Sequence, residues 1–144
     1  MEREQIKELL MDILEKEVVQ YDPPSLEDWE FIEKKFNCNF NQEFKFFIEL
    51  MSEYSFPGDI LNVSTGNTNG NDSIVFTYDY EMNEGNWESD FIPFYSIGNG
   101  DYFCLNSKEC PDSPVYYFSH EDYRMEKYLN SFTEWLEGLS EFLE

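Results

Sequence analysis

The hydrophobic pattern of this chain changes period twice, and that restricts its fold more than any other feature. Up to Met51, apolar residues recur at helical spacing. Between about residues 60 and 118 they come in short β-branched and aromatic runs broken by turn residues. Helical spacing then returns from Leu129. Helices, then hairpin-linked strands, then a helix define an α+β domain. The strand connections are too short for helical crossovers, so the sheet is expected to be mostly antiparallel. About six strands are expected, flanked by the N-terminal helices and the C-terminal helix. No repeat or linker divides the chain, so residues 1–144 read as one domain.

The first helix carries Ile6, Leu9, Leu10, Ile13 and Leu14, with Glu8, Asp12 and Glu15 between them. Asp22-Pro23-Pro24 is expected to end it, because proline cannot continue the hydrogen-bond ladder. Ser25 reads as an N-cap with Asp28 at the reciprocal position of a capping box. The second helix then buries Trp29, Ile32 and Phe36 and can end at Asn37 in a left-handed conformation. Asn41 can cap a third helix bearing Phe44, Phe47, Ile48 and Met51. Phe56-Pro57-Gly58 closes the helical third. Residues 60–63 form a short strand candidate, and residues 65–73 read as a polar loop. Ile74-Val75-Phe76-Thr77-Tyr78 reads as a strand from its β-branched and aromatic content. Phe91-Ile92-Pro93-Phe94-Tyr95 reads as another, with Pro93 marking an edge or irregularity. Asn99-Gly100 between two apolar runs signals a hairpin whose turn residues take positive φ. Pro114-Val115-Tyr116-Tyr117-Phe118 is a further strand. Leu129, Phe132, Leu136 and Leu139 mark the last helix, with Trp135 and Phe142 widening its stripe.

The chain has 14 Phe, 10 Tyr and 3 Trp, so large side chains can fill one core without disulfide or metal staples. Its formal net charge is −22, from 31 acidic residues against 9 Lys and Arg. Such a surface repels nucleic-acid phosphates and anionic membranes, and both are expected to be excluded as partners. It attracts cationic proteins and speeds encounter with them. Acidity also serves solubility alone, and charge does not choose between the two. No run approaches the roughly 20 apolar residues of a membrane span. The acidic N-terminus is unlike a signal peptide, and the cytoplasm is the expected location. Cys38, Cys104 and Cys110 are too few and unevenly spaced for a secreted disulfide framework or a zinc ribbon. No metal or cofactor is expected.

The ordered motifs resemble the SUKH superfamily, which joins yeast-type regulators of cell-wall glucan synthesis to many bacterial immunity proteins. Pro24-Ser25, Trp29 and Ile32-Glu33-Lys34-Lys35-Phe36 are similar to its opening helix. Phe44-Lys45-Phe46-Phe47-Ile48 stands at its next helix. Phe91-Ile92-Pro93-Phe94 and Gly98-Asn99-Gly100-Asp101-Tyr102-Phe103-Cys104-Leu105-Asn106 resemble its central hairpin. Pro114-Val115-Tyr116-Tyr117-Phe118-Ser119-His120-Glu121 resembles its late strand, and Ser131-Phe132-Thr133-Glu134-Trp135-Leu136 its closing helix. The resemblance spans roughly residues 20 to 140. The chain departs from the family pattern at Asn37, at Phe40-Asn41 and at residues 52–55, all in connections between elements. The resemblance implies an α+β fold without catalytic residues and a protein-binding role, often neutralisation of a co-encoded toxin.

Other candidate chemistry is sparse. His120, the one histidine, stands in Ser119-His120-Glu121-Asp122. It reads as a general base or metal ligand, or more simply as a strand-end residue hydrogen-bonded locally. Gly98-Asn99-Gly100-Asp101 lacks the complete phosphate-binding glycine pattern and opens no helix. Residues 67–72 alternate oxygen ligands near a glycine but lack the closing glutamate of a calcium loop. Cys104 and Cys110 read as a redox or metal pair, or, since Cys104 sits in an apolar strand, Cys104 reads as a small core residue. The most informative cluster is Asp79, Glu81, Glu84, Glu88 and Asp90 around Trp87. Carboxylates around one aromatic anchor suit recognition of a basic protein surface. A solvated acidic loop with Trp87 tucked into the core is the alternative. Three functions follow: an immunity protein blocking a toxin domain, a regulatory scaffold, or, least favoured, a small hydrolase.

Overall fold

The computed structural model describes residues 2–10, 15–16, 23–55, 59–61, 63 and 73–142. Among the described residues, five helices and seven strands follow in the order α1 (Arg3–Leu10), β1 (Glu15–Lys16), α2 (Leu26–Phe36), α3 (Gln42–Glu53), β2 (Tyr54–Ser55), β3 (Asp59–Ile60), α4 (Ile74–Glu84), β4 (Phe91–Ser96), β5 (Tyr102–Asn106), β6 (Val115–Ser119), β7 (Arg124–Leu129) and α5 (Phe132–Phe142). The main sheet is an antiparallel meander, β3-β4-β5-β6-β7, in which β4 to β7 are the full-length strands. β1 and β2 make a separate antiparallel pair. The α+β class therefore stands, with a five-stranded main sheet instead of six strands.

Helix boundaries follow their caps. Ser25 Oγ accepts from Asp28 N at 3.1 Å and Asp28 Oδ2 accepts from Ser25 N at 2.9 Å, completing the capping box. Asn37 ends α2 with φ 52°, and its N–H and that of Cys38 reach back to the last turn. Asn41 Oδ1 accepts from Phe44 N at 2.9 Å at the start of α3. The described part of the first helix runs to Leu10, and Glu15 and Lys16 pair with Ser55 and Tyr54, so the backbone has left the helix before the prolines. Ile13, Leu14 and Phe56-Pro57-Gly58 lie outside the described residues, as does the polar loop before Ser73.

The sheet's alternation sorts its side chains onto two faces. Ile92, Phe94, Phe103, Leu105 and Val115 join the principal core with α1, α2, α3 and α5. Its centre is aromatic: Phe94 meets Trp135 at 5.0 Å between ring centroids, and Phe44 meets Phe132 at 5.5 Å, both edge-on. Thr133 Oγ1 donates to the Glu43 carboxylate at 2.6 Å and ties α5 to α3. The opposite face carries Phe91, Cys104 and Phe118. A bulge at Pro93–Tyr95 turns both Phe94 and Tyr95 into the principal core, as Pro93 foreshadows.

Three sequence expectations need correction here. Ile74-Val75-Phe76-Thr77-Tyr78 is the first half of α4, not a strand. Ser73 Oγ caps it by accepting from Phe76 N at 3.0 Å, and Gly85, at φ 88°, ends it. Leu129 belongs to β7, a strand whose charged face hid it from the apolar pattern; Arg124, Glu126 and Lys127 are exposed on this sheet edge. The β4–β5 hairpin forms, but its positive-φ residues are Gly98 and Gly100, both at 98°, not Asn99. Asn99 instead accepts from Asp101 N through its side chain at 3.0 Å.

Candidate functional site

The acidic cluster proposed from sequence lies on α4 and in the turn that follows it. α4 packs against β4 through Ile74 and Thr77, which are buried, and leaves its other side in solvent. Asp79 and Glu84 are exposed on the helix, and Glu88 is exposed in the turn. Asp79 also receives Lys35 Nζ of α2 at 3.0 Å, and the two helices meet again where Tyr78 packs edge-on against Phe36 at 4.8 Å. Asp90 is half-buried, pairs with Lys108 at 3.3 Å and offers its carbonyl to Ser107 N at 2.7 Å. Glu81 turns inward to accept from Tyr102 Oη at 3.1 Å. Burial raises the Glu81 carboxyl above its ordinary value, with Glu84 adding to the effect and Tyr102 opposing it. Burial and the same carboxylate push the Tyr102 hydroxyl up in turn.

Trp87 is not a surface anchor. It is 7% exposed, and its Nε1 donates to the Phe91 carbonyl at 3.0 Å. Its ring lies against Phe118 at 4.7 Å and edge-on to Tyr102 at 5.5 Å. The residue that breaks the acidic run is thus the lid of the second core. That lid also covers Phe118, so Phe118 cannot serve as a surface contact. The exposed aromatics beside the carboxylates are Phe76 and Tyr80, 46% and 54% exposed and one turn apart on α4. Phe31, one turn before Lys35 on α2, is 58% exposed. The strand reading of residues 74–78 hid Phe76, and the reading of residues 79–90 as an acidic stretch around Trp87 passed over Tyr80. The helical signal was Ser73 before the apolar run and Gly85 after it.

The histidine is held locally. His120 follows β6, and both its backbone N–H (2.9 Å) and its Nδ1 (2.6 Å) reach Asp101 Oδ1. Tyr117 donates to the other oxygen of the same carboxylate. Asp101 is buried, which alone would raise its carboxyl, but these hydrogen bonds outweigh burial and hold it below its ordinary value. Gly100 lies against the imidazole, where an added Cβ would come within 3.0 Å of the ring. The group ties the β4–β5 turn to the end of β6. Among the described residues, no three His, Cys, Asp or Glu side chains converge as a metal would require, and no helix is long and apolar enough to cross a membrane.

A small antiparallel α+β domain with an exposed acidic and aromatic helix face is the class of protein that this fold and surface define. The model of the SMI1-KNR4 cell-wall family, SUKH_5, matches residues 3–142, and the chain belongs to that family. Among solved structures, the chain is similar to a protein from Pseudomonas syringae pv. tomato. The two share 18% identity with a TM-score of 0.59, over 81% of this chain and 83% of the other, a likeness of fold. A search of curated proteins finds no match.

Proposed function

We propose that this protein is a non-catalytic binding domain that neutralises a toxin domain by direct contact, and that the partner's contact surface is basic. The observation that carries the reading is the α4 face, where Phe76 and Tyr80 stand exposed among Asp79, Glu84 and Glu88 on a chain of net charge −22. Exposed aromatics beside carboxylates suit arginine-rich surfaces: the carboxylates pair with guanidinium groups and the rings stack on them. On this reading Asp79, Glu84 and Glu88 contact the partner, and Glu81, Trp87 and Asp90 support the face. The proposed location is the cytoplasm, where such a partner would be intercepted. Family membership supports the non-enzymatic character of the domain.

Co-expression with a candidate toxin domain, sought among the products of neighbouring genes, tests this reading. Growth should be restored by the wild-type chain, and the two proteins should co-purify as a complex. Restoration without a complex would remove direct binding from the account. The family's cell-wall description favours a second reading, a regulatory scaffold of the glucan-synthesis type. A cell-wall defect on deletion, with no neighbouring toxin, would select it.

A further inference from the structure

Cys38 and Cys110 lie far apart in sequence but meet in the fold. Cys38 follows the left-handed Asn37 that ends α2, and its N–H is fixed by the Glu33 carbonyl at 3.0 Å. Cys110 lies in the turn between β5 and β6, where Glu109 N donates to the Asn106 carbonyl at 3.0 Å. Both side chains are half-buried and pack against the same principal core, and the two thiols lie close enough to act on each other. Cys38 also lines a shallow surface cleft of about 350 Å³ with Glu30, Glu33, Lys34, Asn37 and Asn39. A small reagent can therefore approach one sulfur of the pair from solvent. Cys104, the sequence-level partner of Cys110, instead lies fully buried on the second face of the sheet.

We propose that Cys38 and Cys110 are a reversible modification site, closing to an intramolecular disulfide by exchange with a low-molecular-weight disulfide. In the first step the Cys38 thiolate attacks one sulfur of oxidised glutathione. A mixed disulfide forms and one glutathione thiolate leaves. The Cys110 thiolate then attacks the Cys38 sulfur, and the second glutathione leaves. The two cysteines lose two protons and two electrons, and one oxidised glutathione becomes two reduced molecules. The roles follow from access. Cys38 lines the cleft that a small disulfide can enter, and Cys110 does not line it. The closed bond joins the end of α2 to the β5–β6 turn, and so joins the helical layer to the sheet.

The full chain is equilibrated in glutathione buffers of increasing oxidised fraction, alkylated, and analysed by intact-mass and peptide-mass spectrometry. The expected product has lost two hydrogens and two of its three free thiols, retains no glutathione, and yields one cross-linked peptide containing Cys38 and Cys110. Cys104 is alkylated only after denaturation, because burial pushes its thiol well up and excludes reagents. Cys110→Ser should trap glutathione on Cys38. Three free thiols at every buffer ratio would overturn the proposal. A lasting glutathione adduct on the wild-type chain, a bond that includes Cys104, or disulfides only between chains would do the same.

Discussion

Single residues show how environment decides role in this protein. Trp87 looks like a binding anchor because carboxylates surround it in sequence, yet its indole closes the second core over Phe118. Trp87→Ala should therefore cost about 3–5 kcal/mol of folding stability, read from denaturant unfolding. A stability change near zero, with binding lost, would return it to the surface. Asp101 is the complementary case, a buried carboxylate stabilised by Tyr117 and His120. Its folded pKa lies below the ordinary value of 3.8, so its contribution is complete above that value. The contribution is lost as pH falls below it through the folded pKa. Asp101→Asn should cost about 2 kcal/mol at neutral pH, since hydrogen bonds to a charged group are worth roughly 1.5–3 kcal/mol. The gap to wild type should narrow as the pH of the unfolding experiment drops below 4. A gap independent of pH would mean that the carboxylate's charge is not what holds the hairpin to β6.

Elements were legible where local chemistry and tertiary packing agree. Ser25 with Asp28, Asn37 and Asn41 mark the boundaries of α2 and α3 because caps are local hydrogen bonds. The hairpin was legible from Asn99-Gly100, although Gly98 and Gly100 carry the positive φ and Asn99 contributes its side chain. α4 was not legible as a helix. Its first five residues are β-branched or aromatic, a composition of strand propensity, and its caps, Ser73 and Gly85, come to light only in the fold. Packing reverses that preference by burying Ile74 and Thr77 a turn apart. β7 escaped for the opposite reason, since an edge strand needs little apolar content. The acidic cluster was legible as a charge run, but which of its side chains point outward depends on the helix. At this scale Gly85→Ala should cost about 1 kcal/mol in thermal or denaturant unfolding, from the left-handed backbone alone. No neighbouring atom would clash with the added methyl group. On the exposed face, Phe76→Ala and Tyr80→Ala should each shorten the lifetime of the partner complex at least tenfold, corresponding to roughly 1.4 kcal/mol or more. Surface plasmon resonance with the immobilised toxin domain measures this. Unchanged dissociation in both variants would move the interface off α4.

Over the whole molecule, the charge of −22 acts on folding and binding at once. Self-repulsion among 31 carboxylates opposes the compact state, so moderate salt should raise the thermal midpoint by screening it. The same salt should slow encounter with a basic partner, because steering by exposed charges weakens as the Debye length shortens from about 10 Å at 0.1 M. The disulfide proposed between Cys38 and Cys110 would add stability by another route. Closing a loop of roughly 70 residues restricts the unfolded chain by about 4 kcal/mol in the entropic account. Oxidised and reduced protein should therefore differ in midpoint at every salt concentration. The central claim, that the α4 face steers a basic toxin domain onto this chain, is tested most directly by stopped-flow association across a salt series. Wild type is compared with a variant carrying Asp79→Asn, Glu84→Gln and Glu88→Gln. The account predicts slower association of the variant at low salt and a shallower fall with added salt, with the two rates converging at high salt. Equal rates and equal slopes at low salt would contradict it.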